Sequence, residues 1–184
     1  MSGAEIVMEE ADVIVSKTDL KGRITYANDI FRRISGYSES DLLDAPHSIV
    51  RHPDMPRCVF KLLWDTLETG DEIFAYVKNL CKNGDFYWVH AHVTPSQDEM
   101  GRTVAYHSNR RRPDRDSVEK IEIIYKFLLE IEQSIPNSKD GMAKSFDTLV
   151  RILTKLDVTY DQFIFEFTTY FSKAELEAIL PNFR

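Results

Sequence analysis

Along the first 113 residues, apolar and polar positions alternate in short runs broken by turn residues; beyond Asp114 they recur every three or four positions. The alternation predicts a strand over 13–18 and a return strand over 24–27, joined by the turn Asp19-Leu20-Lys21-Gly22-Arg23. Asn28-Asp29 then caps a short helix over 30–35, and Ser38 opens another that runs to about Leu43. Pro46 and Pro53 make 45–55 a loop or broken helix, and Pro56 suits the first turn of the helix that follows. Val59, Phe60, Leu62, Leu63, Trp64 and Leu67 form its apolar face, which Gly70 ends. Three strands come next, over 73–81, 86–95 and 103–111, the first two joined by the hairpin signal Asn83-Gly84. Two strands, short helices, a longer helix and three strands fold most simply as an α+β unit: a five-stranded antiparallel sheet with its helices on one face.

From Asp114 onward only Gly141 remains among the glycines, and four helices are predicted. Asp116 with Glu119 resembles a capping box ahead of the stripe Val118, Ile121, Ile124, Tyr125, Leu128, Leu129 and Ile131. Met142, Phe146, Leu149, Val150, Leu153 and Leu156 make a second stripe. Thr159 with Gln162, and Ser172 with Glu175, open a third and a fourth helix. Phe163, Phe165, Phe167 and Phe171 are expected in the core of this region. The seam Arg110-Arg111-Arg112-Pro113 reads as a strand end and linker with a solvated basic face. The expected organisation is thus an α+β domain over 10–113 and an all-α interaction segment over 114–184.

Composition narrows the function. The 184 residues carry a net charge of −7, which disfavours a nucleic-acid partner. No apolar run approaches the ~20 residues that span a bilayer, and no secretory signal pattern opens the chain, so a cytoplasmic location without membrane insertion is expected. Two cysteines outside any CxxC pair, Cys58 and Cys81, fit a reducing compartment. There is no Gly-rich phosphate loop, nucleophile elbow or paired-metal spacing, so no enzyme is expected.

One run of short matches goes further. Val50-Arg51-His52-Pro53-Asp54-Met55-Pro56 is followed by Phe60, Trp64 and Gly70, then by Val77-Lys78-Asn79, Lys82-Asn83-Gly84-Asp85, Tyr87-Trp88-Val89 and Thr94-Pro95. Upstream stand Thr18-Asp19-Leu20, Ile24-Thr25-Tyr26-Ala27-Asn28 and Ser35-Gly36-Tyr37. In this order they resemble the flavin-binding PAS domain of bacterial aerotaxis transducers, over about 10–113. The resemblance implies a PAS fold, non-covalent FAD (FMN as a lesser option), and signalling set by the redox state of the flavin. It implies the sensor without the membrane anchor and chemotaxis output of such transducers, and partners reached by protein contact through the C-terminal helices, with a homodimer as one form.

Six residues are the candidate cofactor ligands. Arg51 offers a fork of donors to a phosphate or a flavin carbonyl, His52 a donor to a flavin oxygen, and Asp54 an acceptor for the ribityl chain or an orienter of Arg51. The same loop residues could instead satisfy loop backbone. Asn28 could cap its helix, touch the ligand or do both. Asn79 lies mid-strand, where Asn is disfavoured, and its carboxamide matches the donor–acceptor edge of an isoalloxazine ring. Trp64 is either a cofactor wall or core, and Trp88 leans to core. The family commonly has Trp where this chain has Ile73, beside Phe74. Heme bound through His90, His92 or His107 is the alternative cofactor. A flavin–cysteine adduct at Cys58 is disfavoured because Arg57-Cys58-Val59-Phe60 departs from the light-sensing motif. A PAS fold with its pocket filled by side chains, acting as a cofactor-free dimerisation adaptor, is the alternative function.

Overall fold

β1 (Val13–Thr18) alternates buried and exposed positions because every second side chain faces the protein interior. β2 (Ile24–Ala27), β3 (Ile73–Leu80), β4 (Phe86–Gln97) and β5 (Thr103–Arg111) complete one antiparallel sheet in the order β2-β1-β5-β4-β3. The computed structural model describes residues 3–184, apart from the side chains of 167–170. The chain divides into two contact units: Met1–His52 with Thr66–Pro113, and Pro53–Asp65 with Asp114–Arg184.

In the first unit, α1 (Asp29–Ser35) packs against β1, α2 (Glu39–Leu42) lies by β2, and a 3-10 turn covers His47–Val50. The Ser38 hydroxyl and the Asp41 carboxylate close a reciprocal cap on α2. Gly84 takes a φ of +92° in the β3–β4 turn, a conformation that strains any side chain, which is why Asn83-Gly84 marked it in the sequence. Strand β4 runs two residues past the expected end at Pro95. It tolerates that proline because β3 stops at the Ile73–Val93 pair, so Pro95 has a sheet neighbour on one side only.

The register gives the sheet two distinct faces. Ile14 pairs with Arg110 and Arg110 with Ala91; Ser16 pairs with Ser108 and Ser108 with Val93; Tyr87 pairs with Asn79. One face therefore carries Ile14, Ser16, Thr18, Tyr106, Ser108, Arg110, Tyr87, Val89, Ala91, Val93, Ile73, Ala75, Val77 and Asn79, all but Val93 among them buried. On the opposite face Phe74, His92, His90 and Tyr76 stack in a row, with the Phe74 and His92 centroids 4.2 Å apart, and Lys78 lies 4.4 Å from the Phe86 ring. Trp88 is buried on that opposite face, as a core residue would be.

In the second unit the first part of α3 (Arg57–Glu68) groups with α4 (Arg115–Ser134), α5 (Ser138–Leu156), α6 (Tyr160–Tyr170) and α7 (Lys173–Ile179). Ile121, Ile124 and Leu128 of the α4 stripe are fully buried. Gly141 allows α5 to touch α4: a Cβ there would sit 2.3 Å from the carbonyl oxygen of Glu132. Ser145 donates to the Leu128 carbonyl at 3.0 Å, and Arg57 donates to the Ser138 carbonyl at 2.7 Å. The reciprocal cap Ser172–Glu175 is present on α7.

Two expectations for this region are corrected. The cap of α4 is Asp114, which accepts from the Ser117 N–H at 2.8 Å; Asp116 lies within the first turn and pairs with Lys120. The residue after Pro113 is already extended, so the helix starts two residues earlier than the Asp116 pattern suggested. Phe163 is buried, but Phe165 is 53% exposed, because two residues along a helix turn about 200° and cannot share a face. Phe171 is half-buried and follows α6, and the side chain of Phe167 lies outside the described residues.

Candidate functional site

The buried face of the sheet is unusually polar where β1, β4 and β5 meet. Arg110 is only 3% exposed. Its Nη2 donates to the Ser16 hydroxyl at 2.5 Å and to His47 Nε2 at 2.7 Å, and its guanidinium carbon stands 5.2 Å from the centre of the Phe31 ring. Among the described residues no carboxylate pairs with it. Burial lowers the Arg110 pKa to about 10, and the guanidinium stays charged at neutral pH. Burial, and then the Arg110 charge, push His47 down to about 3, so its Nε2 is an unprotonated acceptor. That ring stacks on Phe31 at 6.0 Å.

Four polar atoms on this face are buried and make no hydrogen bond: Thr18 Oγ1, Tyr87 Oη, Ser108 Oγ and Arg110 Nη1. Burial pushes the Tyr87 phenol up, opposed by the Arg110 charge, so it is a neutral donor. A buried polar group without a partner costs ~1–3 kcal/mol. Four on one face, from Thr18 on β1 to Tyr87 opposite Asn79 on β3, are donors and acceptors of the kind that a flat heterocycle with carbonyl and ring-nitrogen edges uses.

The residues expected from the sequence divide. Asn79 is buried on the edge strand β3, opposite Tyr87 in the strand register. Arg51 forms an isolated backbone bridge with Asn79, which brings the Arg-His-Pro-Asp loop to β3. The His52 ring stands edge-on to Phe86, 5.7 Å away. Asn28 is committed to the fold. Its Oδ1 accepts from the N–H groups of Val15 and Phe31, both at 3.1 Å, and its Nδ2 donates to the Val13 carbonyl at 2.8 Å, so capping and strand-tying occupy both ends of the amide. Asp54 is exposed and Trp64 half-buried, and both belong to the second unit. Among the described residues no cluster of three His, Cys, Asp or Glu could hold a metal ion.

The sequence reading missed Arg110, His47, Tyr87 and Ser16. The basic run predicts a solvated face for Arg110; the structure buries it, because strand parity from Tyr106 through Ser108 carries it to the inner side. That parity was the available signal. Nothing local distinguishes Arg110 from Arg111 in the basic run.

Comparison with known proteins agrees with this architecture. A family model described as PAS fold matches residues 24–109. The aerotaxis receptor of Escherichia coli is 44% identical over 115 residues, which are 62% of this chain and 22% of that protein. A nitrogen fixation regulatory protein of Klebsiella pneumoniae is 30% identical over 105 residues, 57% of this chain and 21% of that protein. The chain thus spans about a fifth of the length of these curated relatives. Among solved structures, the light state of the blue-light photoreceptor Aureochrome1 LOV superposes with a TM-score of 0.52 at 25% identity, over 66% of this chain and 91% of that one. A PAS domain from Colwellia psychrerythraea shares the fold, with a TM-score of 0.51 at 20% identity over 55% of this chain and 86% of that one. The five-stranded sheet, its helices and the family match give residues 24–109 a PAS fold, similar in sequence to part of the aerotaxis receptor.

Proposed function

We propose that this PAS domain binds a flavin, FAD in preference to FMN, against the inner face of its sheet and reports the redox state of that flavin through protein contacts. The observation that carries the reading is the set of four buried, unbonded polar atoms on that face, spread over β1, β5 and β4, of which Tyr87 Oη lies on the strand pair that also carries Asn79. In this reading Asn79 pairs with the carbonyl and ring-nitrogen edge of the flavin, Tyr87 donates to it, and Arg51 anchors the loop beside it. When bound, the flavin supplies a chromophore and an electron acceptor. The chain's residues bind it, orient it and exclude water. The aerotaxis receptor and the blue-light photoreceptor are sensory proteins by name, which supports a sensory rather than an enzymatic role. The helices of the second unit are the proposed contact surface for a signalling partner or a second copy, in a cytoplasmic setting. Among the described residues no helix is long and apolar enough to cross a membrane.

The test is an absorption spectrum of freshly purified protein, followed by heat release and chromatography of what is bound. A flavin gives bands near ~375 and ~450 nm that dithionite bleaches, and the chromatogram separates FAD from FMN. A featureless spectrum after incubation with FAD overturns the reading and leaves the cofactor-free adaptor, which the buried Ile73, standing where related domains carry Trp, also suits. A Soret band moves the assignment to heme.

A further inference from the structure

The chain passes between the two contact units after His52, inside α3 after Asp65, and after Pro113. The first two crossings bracket the leading turns of α3, and α4 and α5 hold those turns. The Glu132 carboxylate, 8% exposed, accepts the Cys58 N–H at 2.9 Å. The Ser145 hydroxyl reaches the Cys58 thiol at 3.1 Å, Arg57 donates to the Ser138 carbonyl at 2.7 Å, and the Lys61 ammonium stands 4.8 Å from the centre of the Phe146 ring. Among the described residues no cation pairs with Glu132. A buried charge without a counter-charge costs stability, and what this one does is fix the first turn of α3. Immediately before that turn comes the loop of the candidate site. Four residues separate His52 from Arg57, and two of them, Pro53 and Pro56, are prolines with a fixed φ. Arg51, one residue further back, bridges to Asn79 on β3. So short a stretch, stiffened twice, passes a displacement from one end to the other instead of absorbing it. The crossing after Pro113 leaves from β5, and β4 lies between that strand and the β3 strand of Asn79.

We infer that the leading turns of α3 couple the C-terminal helices to the cofactor: Glu132 of α4, and Arg57 through Ser138 of α5, position the loop that carries Arg51, so that occupancy beside Asn79 and the order of α4 and α5 depend on one another. This rests on the flavin reading above. Glu132 and Arg57 are positioning residues and touch no cofactor; they act on the loop through the backbone of α3. Coupling of this kind is reciprocal: whatever the helices contribute to holding the ligand, the ligand returns by ordering the helices. The C-terminal segment is then part of the apparatus that binds the cofactor as well as the surface offered to a partner, and a partner that reshapes α4 or α5 changes the affinity of the PAS pocket.

The experiment uses the full chain with FAD as the probe. Hydrogen exchange in α4 and α5 is followed by mass spectrometry with and without FAD, and FAD affinity is titrated by flavin fluorescence. Wild type is compared with E132A, E132Q, R57A and a chain with Gly-Gly inserted between Pro113 and Asp114. FAD is expected to slow exchange around Glu132 and in the first turns of α5 in wild type, in E132Q, which keeps the acceptor, and in the Gly-Gly chain. E132A and R57A should each lose that response and bind FAD more weakly, E132A on the order of tenfold, as coupled sites typically do. An E132A chain that melts lower, yet binds FAD as wild type does and still shows the slowed exchange, assigns Glu132 to the fold alone and overturns the proposal. So does a wild type that binds FAD with no change in α4 or α5. So does a response lost in the Gly-Gly chain and kept in R57A, which moves the route to the joint between β5 and α4. If E132A does not fold, R57A, altered at a side chain that is not buried, decides by the same readouts. A wild-type chain that binds no FAD instead brings down the flavin reading, and this proposal with it.

Discussion

The Glu132 carboxylate, buried on α4, accepts the backbone N–H of Cys58 at 2.9 Å and so serves the first turn of α3, although the two residues lie 74 apart in the chain. A carboxylate is well placed at a helix N-terminus, where unsatisfied N–H groups concentrate positive potential. The Cys58 thiol receives the Ser145 hydroxyl at 3.1 Å, and Arg57 holds the start of α5 through Ser138. The contact predicts a graded response. E132Q keeps an acceptor and loses only the charge, so it should cost less than about 1 kcal/mol. E132A leaves the Cys58 N–H buried and unbonded and should cost about 2–3 kcal/mol. Chemical denaturation of both variants checks this, and equal losses would show that the hydrogen bond contributes nothing.

Gly141 predicts a second, steric effect on the same pair of helices. With a Cβ position 2.3 Å from a backbone oxygen of α4, G141A cannot be absorbed by a side-chain rotation. The helices must separate, at a cost of at least about 1–3 kcal/mol, although Ala is the better helix former by up to ~1 kcal/mol. A G141A chain that melts above wild type would mean that the helices do not approach as described.

His47 gives a pH dependence whose sign follows from its direction of shift. Its folded value of about 3 lies below the ordinary histidine value of 6.5, so between these pH values the unfolded chain binds more protons than the folded one. The His47 contribution is therefore undiminished above pH 6.5, and stability falls as pH drops toward 3. At pH 5 the loss is about 2 kcal/mol. H47Q, which keeps an acceptor for Arg110, should remove most of that acid sensitivity. Urea midpoints at pH 7 and pH 5 for both chains check it, and parallel losses in the two would clear His47.

The cysteines should be silent in the native protein. Burial pushes Cys58 up to about 12 and Cys81 up to about 11, so the reactive thiolate is scarce at pH 8. A thiol-specific reagent at that pH should modify neither residue until denaturant is added, and both promptly thereafter. Rapid native modification of Cys58 would place it in a different environment.

Asn28 separates a structural from a ligand role. N28A removes the cap of α1 and both ties to β1, and should cost roughly 2–3 kcal/mol with or without flavin. N79A should leave the flavin-free protein near wild type in stability and lose flavin, if Asn79 holds the ring. Melting curves with and without added FAD distinguish the two residues.

Much of this was legible in advance because it is local. Two-residue alternation located five strands, Asn83-Gly84 located a hairpin, and the Ser172–Glu175 spacing located a helix start. What escaped is non-local. Whether Arg110 is a solvated charge or a buried one depends on which strand pairs with β5 and in what register, and the basic run around it gives no hint of that. Asn28 was ambiguous because the same amide can cap a helix or reach a ligand, and only the approach of the Val13 and Val15 backbone decides between them. Phe165 misled because a phenylalanine-rich run suggests a core, whereas helical geometry allows only part of it to face inward.

The overhang at Pro95 has a practical consequence. Beyond the Ile73–Val93 and Thr18–Tyr106 pairs, β4 and β5 continue as a bare two-stranded ribbon whose tip exposes Met100 (79%) and Val104 (50%). A ribbon supported by its own ladder alone opens more easily than the sheet it grows from. Its tip is therefore the place where a protease would first nick this domain, and where a fluorescent reporter or an affinity tag could be inserted between Glu99 and Met100 with least disturbance to the polar face behind it.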